Sequence, residues 1–451
     1  MVRTPFGVFG AIVAVTLAVG CSSDGSTGPS TGTLNVTITA PAGVTGNVTV
    51  TGPNGYSKAL TASQSLAGLP SGTYTVAGAT VITEHSVVGR DTNVATVTGS
   101  PATVSRNGTV TVTVAYAISD SVSGGLWVMN AQSSSSTNEF VQYNAAQLAA
   151  SGSPAPVAGI LGASFTEYGA VAFDRQGNLW SVGSNRVITE YTAAQLDSAN
   201  PTAVLTLTVN GSSDISSIAF DSSGDLWTVD PGPCNFYAFN AATLANHSGV
   251  VSLAPDISIL PGCGGPGENP YAIAFDKNWN LWVSDNGNEV VYEFPKDSLK
   301  QGFSGLFASR LISGLNNTEY LAFDATGNLW VTAGENDSTF QFSASQLADT
   351  THAPTPAVSI GISGGSGGLQ GLAFDNSGNL WTVDAQANKL YELAASQLTA
   401  NGAVTPTVTI TANSGSLATP WGLAFAPHSS GLPLFLHAPP KPASVRSRRL
   451  R

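Results

Sequence analysis

The sequence predicts an all-β protein in which a small N-terminal β-sandwich precedes a six-bladed β-propeller. The first observation is a repeat: Leu-Trp pairs place tryptophan at 127, 180, 227, 282, 330 and 381. A period of roughly 50 residues built of short β segments is typical of propeller blades. The second is composition, because only 10% of the residues are charged and glycine is abundant, as in proteins with many tight turns. The third is strict apolar–polar alternation over residues 33–117, which indicates a half-buried sheet.

The first 21 residues have the pattern of an export signal. Arg3 is followed by an apolar run, 6–19, that is short for a membrane span. The run ends in Ala18-Val19-Gly20-Cys21, which resembles the lipobox of bacterial lipoproteins. That resemblance implies an exported protein with lipid on Cys21, and Ser22 favours the outer membrane. The alternative is an ordinary secretory signal cut near Cys21.

Residues 22–32 are rich in serine, glycine and threonine, and we expect a flexible linker there. Residues 33–117 follow, with alternating segments such as Leu34-Asn-Val36-Thr-Ile38. The run Leu69-Pro-Ser-Gly-Thr-Tyr74-Thr-Val76 resembles bacterial immunoglobulin-like or carboxypeptidase-regulatory-like domains. The resemblance implies an immunoglobulin-like β-sandwich that acts as a spacer or adhesion module.

One propeller blade can be read from its clearest copy, residues 372–410. A first strand at 372–375 leads through a turn to a second strand at 380–383, a third strand at 390–393, a short helical turn and a fourth strand at 406–410. We expect the repeated Phe and Trp to fill the space between neighbouring sheets. The repeated Asp before the turn, as in Asp375, is predicted to accept hydrogen bonds from turn N–H groups. A role that recurs in every blade serves the fold.

The ends of the repeat predict how the ring closes over residues 120–436. The first copy begins directly at a second strand with Leu126-Trp127, and the last, Leu423-Ala-Phe-Ala426, is a first strand alone. Joining the two gives six blades closed by the C-terminal strand, with no open edge. A broken seventh blade around 432–436 is the alternative. Residues 437–451 are basic and predicted to be a disordered tail.

The blade text, with its Asp-x-x-Gly-Asn turn and Leu-Trp strand, resembles NHL repeats over about 300 residues. NHL-like propellers include binding scaffolds, lyases and lactonases. Streptogramin lyase-like propellers use a histidine base and Mg²⁺. None of the five histidines here matches that base. Gluconolactonase-like enzymes hold a divalent metal with Glu, Asn and Asp, which Glu167, Asn269 and Asp384 could mimic.

Strand polarity predicts one face on which polar and aromatic residues surround the channel mouth. The predicted ligand-binding residues are Glu167, Asp214, Tyr271, Glu268, Asn269, Glu319, Gln370, Trp421, Asp230, Asp285 and Asp384. Such a mouth suits a sugar, a cationic ligand or a hard cation. The alternative for Asp230, Asp285 and Asp384 is that each caps its own loop. No cofactor is expected, but Ca²⁺ or Mg²⁺ remains an option.

The remaining cysteines, Cys234 and Cys263, fall in loops of that same face, so a disulfide between them is geometrically reasonable in an oxidising compartment. The region 120–392 has 25 acidic against 7 basic residues, which argues against nucleic acid as a partner. The sequence therefore favours a lipid-anchored envelope protein whose propeller binds a glycan, a small molecule or an envelope protein. A metal-dependent lyase or lactonase and a purely structural envelope protein are the alternatives.

Overall fold

The protein is described by a computed structural model that covers residues 30–41, 43–84, 90–122, 125–131, 139–160, 169–183, 185–196, 201–232, 234–261, 268–300, 304–306, 308–334, 337–349, 354–413 and 416–426. The described chain forms two compact units, one of residues 30–81 and 94–117, the other of residues 82–93 and 118–426. Both are built of β-strands.

The N-terminal strands form two sheets. They are β1 (Thr31–Thr39), β2 (Val48–Gly52), β3 (Tyr56–Leu60), β4 (Gln64–Pro70), β5 (Gly72–Gly78), β6 (Val81–Glu84), β7 (Arg90–Thr98), β8 (Ala102–Val104) and β9 (Thr109–Val122). The sheet orders are β3-β2-β5-β8 and β4-β1-β9-β7-β6. The alternation seen in the sequence buries one face, because Leu34, Val50, Tyr74 and Val112 are fully buried together. Strand β1 begins at Thr31, two residues before the predicted start.

The second unit continues with 27 strands in the described residues. The first group is β10 (Gly125–Asn130), β11 (Phe140–Asn144), β12 (Ala158–Ile160), β13 (Val171–Phe173), β14 (Leu179–Gly183), β15 (Val187–Tyr191), β16 (Leu205–Val209), β17 (Ser217–Phe220), β18 (Leu226–Asp230), β19 (Asn235–Phe239), β20 (Gly249–Leu253), β21 (Ile257–Pro261) and β22 (Pro270–Phe275). The second group is β23 (Leu281–Asp285), β24 (Val290–Phe294), β25 (Ser304–Leu306), β26 (Arg310–Ile312), β27 (Thr318–Phe323), β28 (Leu329–Ala333), β29 (Ser338–Phe342), β30 (Val358–Ile362), β31 (Leu369–Phe374), β32 (Leu380–Asp384), β33 (Lys389–Leu393), β34 (Gly402–Val404), β35 (Val408–Thr411) and β36 (Pro420–Ala426).

These strands make six sheets in the described residues, which we number along the chain. Their orders are β12-β11-β10-β36, β13-β14-β15-β16-β20, β17-β18-β19-β21-β25, β22-β23-β24-β26, β27-β28-β29-β30-β34 and β31-β32-β33-β35. The inner strands β36, β13, β17, β22, β27 and β31 contact one another in that cyclic order. The arrangement is that of a β-propeller.

The two ends of the repeat meet in the first sheet. Strand β36 pairs antiparallel with β10, with Trp127 opposite Ala424 and Leu126 opposite Phe425. On the outside, β20, β25 and β34 pair parallel with β16, β21 and β30, which are the fourth strands of the second, third and fifth sheets. A parallel bridge between Gly152 and Ile410 joins the first and sixth sheets in the same way. These pairings cover strand edges that would otherwise be open.

The repeated Asp does more than the sequence predicts. In the sixth sheet, Asp375 Oδ1 accepts from the backbone N–H groups of Ser377 and Asn379, and its Oδ2 accepts from Asn379 Nδ2 and Trp381 Nε1. The same indole-to-carboxylate bond, 2.9 to 3.2 Å long, occurs in five sheets, from Trp180, Trp227, Trp282, Trp330 and Trp381 to Asp174, Asp221, Asp276, Asp324 and Asp375. Each turn is therefore tied to the buried ring between the sheets.

The first sheet, in which the two ends of the repeat pair, lacks this bond. Ala426 stands at the position of the Asp, and Trp127 Nε1 is buried with no partner among the described residues. The predicted burial of the rings is nevertheless confirmed, because all six tryptophans of the repeat are 3% exposed or less.

Short helices connect the third and fourth strands. They are α1 (Ala145–Leu148), α2 (Ala193–Leu196), α3 (Ala241–Ala245) and α4 (Ala344–Ala348), and 3-10 turns lie at Pro53–Gly55, Lys296–Ser298 and Ala395–Gln397. The recurring Gln of the helical phrase has a double role. Gln346 Oε1 accepts from the N–H of Ser343, while its Nε2 donates to the carbonyl of Thr355. No helix in the described part of the chain is long and apolar enough to cross a bilayer.

Candidate ligand-binding site

One position of the inner strands differs in every sheet. Counting back from the turn Asp, or from Ala426 in the first sheet, all six inner strands have Phe one place before and Ala two places before. Five places before, six different residue types occur. We call these residues the mouth ring: Gly169, Ser216, Tyr271, Glu319, Gln370 and Trp421. The fold requires the same side chains further along the strand but does not require any one side chain here.

Four of the six inner strands have a β-bulge at the mouth ring. Between Pro270 and Ile273, the pairing advances three residues along β22 but two residues along β23, from Asp285 to Val283. The same irregularity occurs in β27, β31 and β36, so that each bulge contains the ring residue and the residue after it. A bulge turns a side chain away from its regular direction and is common beside functional sites. No pattern in the sequence predicted these bulges.

The bulged residues contact one another and Gly169 of the mouth ring. Tyr320, which follows Glu319 in its bulge, donates its hydroxyl to the carbonyl of Gly169 at 2.6 Å, a residue three sheets away. Tyr271 donates to Gln370 Oε1 at 3.2 Å. The rings of Tyr271 and Tyr320 meet edge to face with centroids 5.4 Å apart. These contacts link the inner strands of the second, fourth, fifth and sixth sheets at the mouth ring.

Burial of the ring residues is nearly complete apart from Trp421. The exposed fraction is 6% for Tyr271, 7% for Glu319 and 6% for Gln370, and it is 9% for Tyr320, which follows Glu319 in its bulge. Trp421 packs against the cluster that contains both tyrosines and remains partly exposed. Its indole N–H is buried without a partner among the described residues. The exposed part of Trp421 is therefore carbon surface.

Glu319 is the only ionisable carboxylate in the mouth ring. Asn317 Nδ2 donates to its Oε1 at 3.2 Å, and Asn286 Nδ2 donates in turn to Asn317 Oδ1 at 2.7 Å. Gly334 leaves the space for this carboxylate, because a Cβ there would lie 2.7 Å from Glu319 Oε1. Burial, with a further contribution from Glu319, raises the pKa of Tyr320 well above its usual value. The Tyr320 hydroxyl thus stays protonated and can donate.

The aspartates at the end of the second strands are loop caps. Asp230, Asp285 and Asp384 are fully buried. Asp230 accepts from the N–H and hydroxyl of Ser213 and from the N–H of Gly232. The other two make comparable sets of bonds to their own loops. Their lone pairs are engaged by the protein, so the loop-capping alternative describes these three residues.

The glycine-rich loop 364–368 is held by the carboxylate of Asp337, which no sequence motif marked. Asp337 accepts from the N–H groups of Gly367 and Gly368 at 2.7 and 3.2 Å. Gly365 lies so close that a Cβ would be 2.3 Å from Asp337 Oδ2. Burial is the main cause that raises the pKa of Asp337, and nearby Asp384 adds to it. Asp337 is 30 residues from Gly367 in the sequence, so no local pattern indicated that the two are bonded.

Other predicted site residues lie around the ring or outside the described residues. Asp214 accepts from the N–H of Ile215 at 2.9 Å, Asn269 donates its N–H to Asp285 Oδ1, and Glu268 is partly buried. Glu167 and Cys21 lie outside the described residues. Cys234 is 1% exposed, and Cys263 is also outside the described part, so the disulfide remains a prediction.

One of the five histidines, His247, lies in the described part of the chain. His247 follows α3, where its Nδ1 lies 2.7 Å from the carbonyl oxygen of Thr243; the other four histidines lie outside the described part. The described residues contain no group of three His, Cys, Asp or Glu side chains placed to hold a metal ion.

Comparison with known proteins gives structural neighbours only. No protein-family model matches the chain. No curated protein matches it either. Among solved structures, virginiamycin B lyase from Staphylococcus aureus is 14% identical with a TM-score of 0.36, covering 50% of this chain and 66% of the lyase, slightly less than two thirds of its length. The periplasmic gluconolactonase of Pseudomonas aeruginosa is 12% identical with a TM-score of 0.44, covering 67% and 99%.

A third neighbour is a Bacteroides caccae protein of unknown function, which is 11% identical with a TM-score of 0.47 over 68% of this chain and all of that one.

Proposed function

We propose that the chain is an exported binding module of the cell envelope and that its ligand binds at the mouth ring. The observation that carries the proposal is the contrast within the inner strands. Phe and Ala recur six times out of six near the turn, whereas the mouth ring has six different residues, four of them in β-bulges. Residues that repeat serve the fold, and residues that differ at one end of the ring suit the recognition of one particular ligand.

The proposal includes the architecture that supports the site. The cyclic contacts of the inner strands and the pairing of β36 with β10 support a six-bladed propeller closed by the C-terminal strand over 120–436. The two packed sheets of the N-terminal unit support an immunoglobulin-like spacer over 33–117. The N-terminal pattern supports lipidation of Cys21 and anchoring in the outer membrane, with residues 22–32 as the linker.

Lipidation and the disulfide have direct tests. Cells expressing the full chain with labelled fatty acid should place label in the protein, and Cys21→Ser should abolish it; label in both would refute the assignment. Mass spectrometry of the exported chain, digested without reductant, should find the peptides of Cys234 and Cys263 joined. Two free thiols would refute the pairing.

Tryptophan fluorescence tests binding at the mouth ring. The six tryptophans of the repeat are buried, which leaves Trp421 and Trp279 as the partly exposed ones of the eight. Trp279 lies in a turn after β22 and packs on Phe275, so Trp279→Phe is a matched control. Neutral oligosaccharides, alkylammonium salts, CaCl₂ and MgCl₂ are titrated separately into the full chain.

The proposal expects a saturable fluorescence change with at least one probe. Trp421→Phe should remove or weaken the change and Trp279→Phe should retain it. No response to any probe, or a response that Trp421→Phe leaves intact, would refute binding at the mouth ring.

A further inference from the structure

The mouth ring and the adjoining Tyr320 combine aromatic carbon surface with one carboxylate side chain. Tyr271, Tyr320 and Trp421 belong to one packed cluster, and Glu319 lies beside Tyr320 in the same bulge. Aromatic faces carry a negative quadrupole that attracts organic cations, and a neighbouring carboxylate adds a full charge. We propose that the ligand of the mouth ring presents an alkylated or primary ammonium group, an inference that rests on the binding function proposed above.

The hydrogen-bonding groups of the ring disfavour a neutral sugar. The Tyr320 hydroxyl donates to Gly169, and the Tyr271 hydroxyl donates to Gln370 Oε1. These bonds use the polar groups of three ring positions within the protein. The partly exposed side chain is Trp421, whose N–H points into the protein. A sugar needs several accessible donors and acceptors, whereas an alkylammonium group needs carbon faces and a negative charge.

Charge and metal chemistry point the same way. No Lys or Arg occurs among the six ring residues or the six that follow them. The region 120–392 has 25 acidic and 7 basic residues, so its field draws cations toward the surface. A hard cation would need several free carboxylates, but Asp230, Asp285 and Asp384 are fully buried and bonded to their own loops.

Choline and its uncharged carbon analogue, 3,3-dimethylbutan-1-ol, form a matched pair of probes. They are titrated into the full chain at constant ionic strength, with NaCl as the salt control, and Trp421 fluorescence is followed. Choline should bind saturably and the alcohol about tenfold or more weakly, since the two differ chiefly in charge. Equal affinity for both would overturn the proposal.

Two variants locate the charge. Glu319→Gln should weaken choline binding about tenfold, while Asp297→Asn, which removes a charge from an exposed turn beyond the third strand of the fourth sheet, should leave it unchanged. Circular dichroism verifies that each variant is folded. If Glu319→Gln does not fold, Trp421→Leu replaces it, and isothermal titration calorimetry measures binding because this variant lacks the fluorescent reporter. Trp421→Leu should abolish the preference for choline over the alcohol, and a preference that survives overturns the proposal.

Failure of this inference is distinguishable from failure of the proposed function. If choline has no effect but an oligosaccharide or a metal ion produces a response that depends on Trp421, the ammonium ligand is wrong and the mouth ring remains a binding site. If no probe changes the fluorescence of Trp421, both are wrong.

Discussion

Replacing one buried tryptophan by phenylalanine should cost much more in the sixth sheet than in the first. Trp381 and Trp127 are both 1% exposed and occupy equivalent positions on their second strands. Trp381 donates its indole N–H to Asp375 at 3.1 Å. Trp127 has no such partner in the described part of the chain, because Ala426 takes the position of the Asp. The two sites therefore differ chiefly in one hydrogen bond.

The magnitude follows from two effects of the same sign. Both substitutions lose a similar ring area, so the packing cost largely cancels in the comparison. Trp381→Phe also loses a hydrogen bond to a charged group, which contributes about 1.5–3 kcal/mol. Trp127→Phe removes a buried N–H that lacks a partner, and this relieves about 1–3 kcal/mol. We expect Trp381→Phe to lower the unfolding free energy by at least about 2 kcal/mol more than Trp127→Phe.

Urea unfolding followed by circular dichroism measures both variants, and a double-mutant cycle isolates the bond. Asp375→Ala combined with Trp381→Phe should show a coupling of about 1–2 kcal/mol, whereas Asp375→Ala combined with Trp127→Phe should be additive within about 0.5 kcal/mol. Equal costs for the two tryptophans, or equal coupling in the two cycles, would refute the reasoning.

Three further outcomes can be measured by the same unfolding assay. Asp225 stands where four other turns have an Asn whose side-chain amide donates to the turn Asp, and burial raises the pKa of Asp225. Asp225→Asn should restore a donor to Asp221 and stabilise the protein by about 1 kcal/mol, and a loss of stability would contradict this. Burial, followed by a nearby carboxylate, raises the pKa of Glu190 from 4.5 to about 7. The contribution of Glu190 to stability is thus complete below pH 4.5 and is lost as the pH rises to about 7. Glu190→Gln, which cannot ionise, should reduce this loss of unfolding free energy by on the order of 1 kcal/mol after allowing for solvent screening. A pH profile of the unfolding free energy that the substitution leaves unchanged would contradict this. Tyr320→Phe should cost about 1 kcal/mol by leaving the carbonyl of Gly169 without its donor, and a neutral effect would show that this bond is dispensable.

The sequence determined the parts of the fold that depend on short separations. The turn Asp and the Trp it bonds are six residues apart, as in Asp375 and Trp381, and a local pattern repeated along the chain makes such units readable. The repeat predicted the burial of the Trp ring and the capping of the turn by the Asp, but no sequence pattern indicated the bond from the indole to the carboxylate. It also predicted that β36 would lie beside β10, because the two halves of one repeat stand at opposite ends of the region.

The residues of the candidate site could be predicted only in part. Tyr271, Glu319, Gln370 and Trp421 were predicted at the channel mouth, and the structure brings their strands together. The sequence predicted Asp230, Asp285 and Asp384 as ligand-binding residues in the same way. Only their loops, folded back over them, show that these carboxylates are buried caps.

By itself, the sequence determined the repeating sheet, its turns and the rings between the sheets, because each depends on bonds within one blade. The tertiary structure decided how the residues of the mouth ring are arranged. Tyr320 reaches the carbonyl of Gly169 across 151 residues of chain, and four bulges turn the ring residues to their final directions. Such contacts depend on how many sheets share the axis and how closely their inner strands approach, and no local pattern of residues encodes that distance.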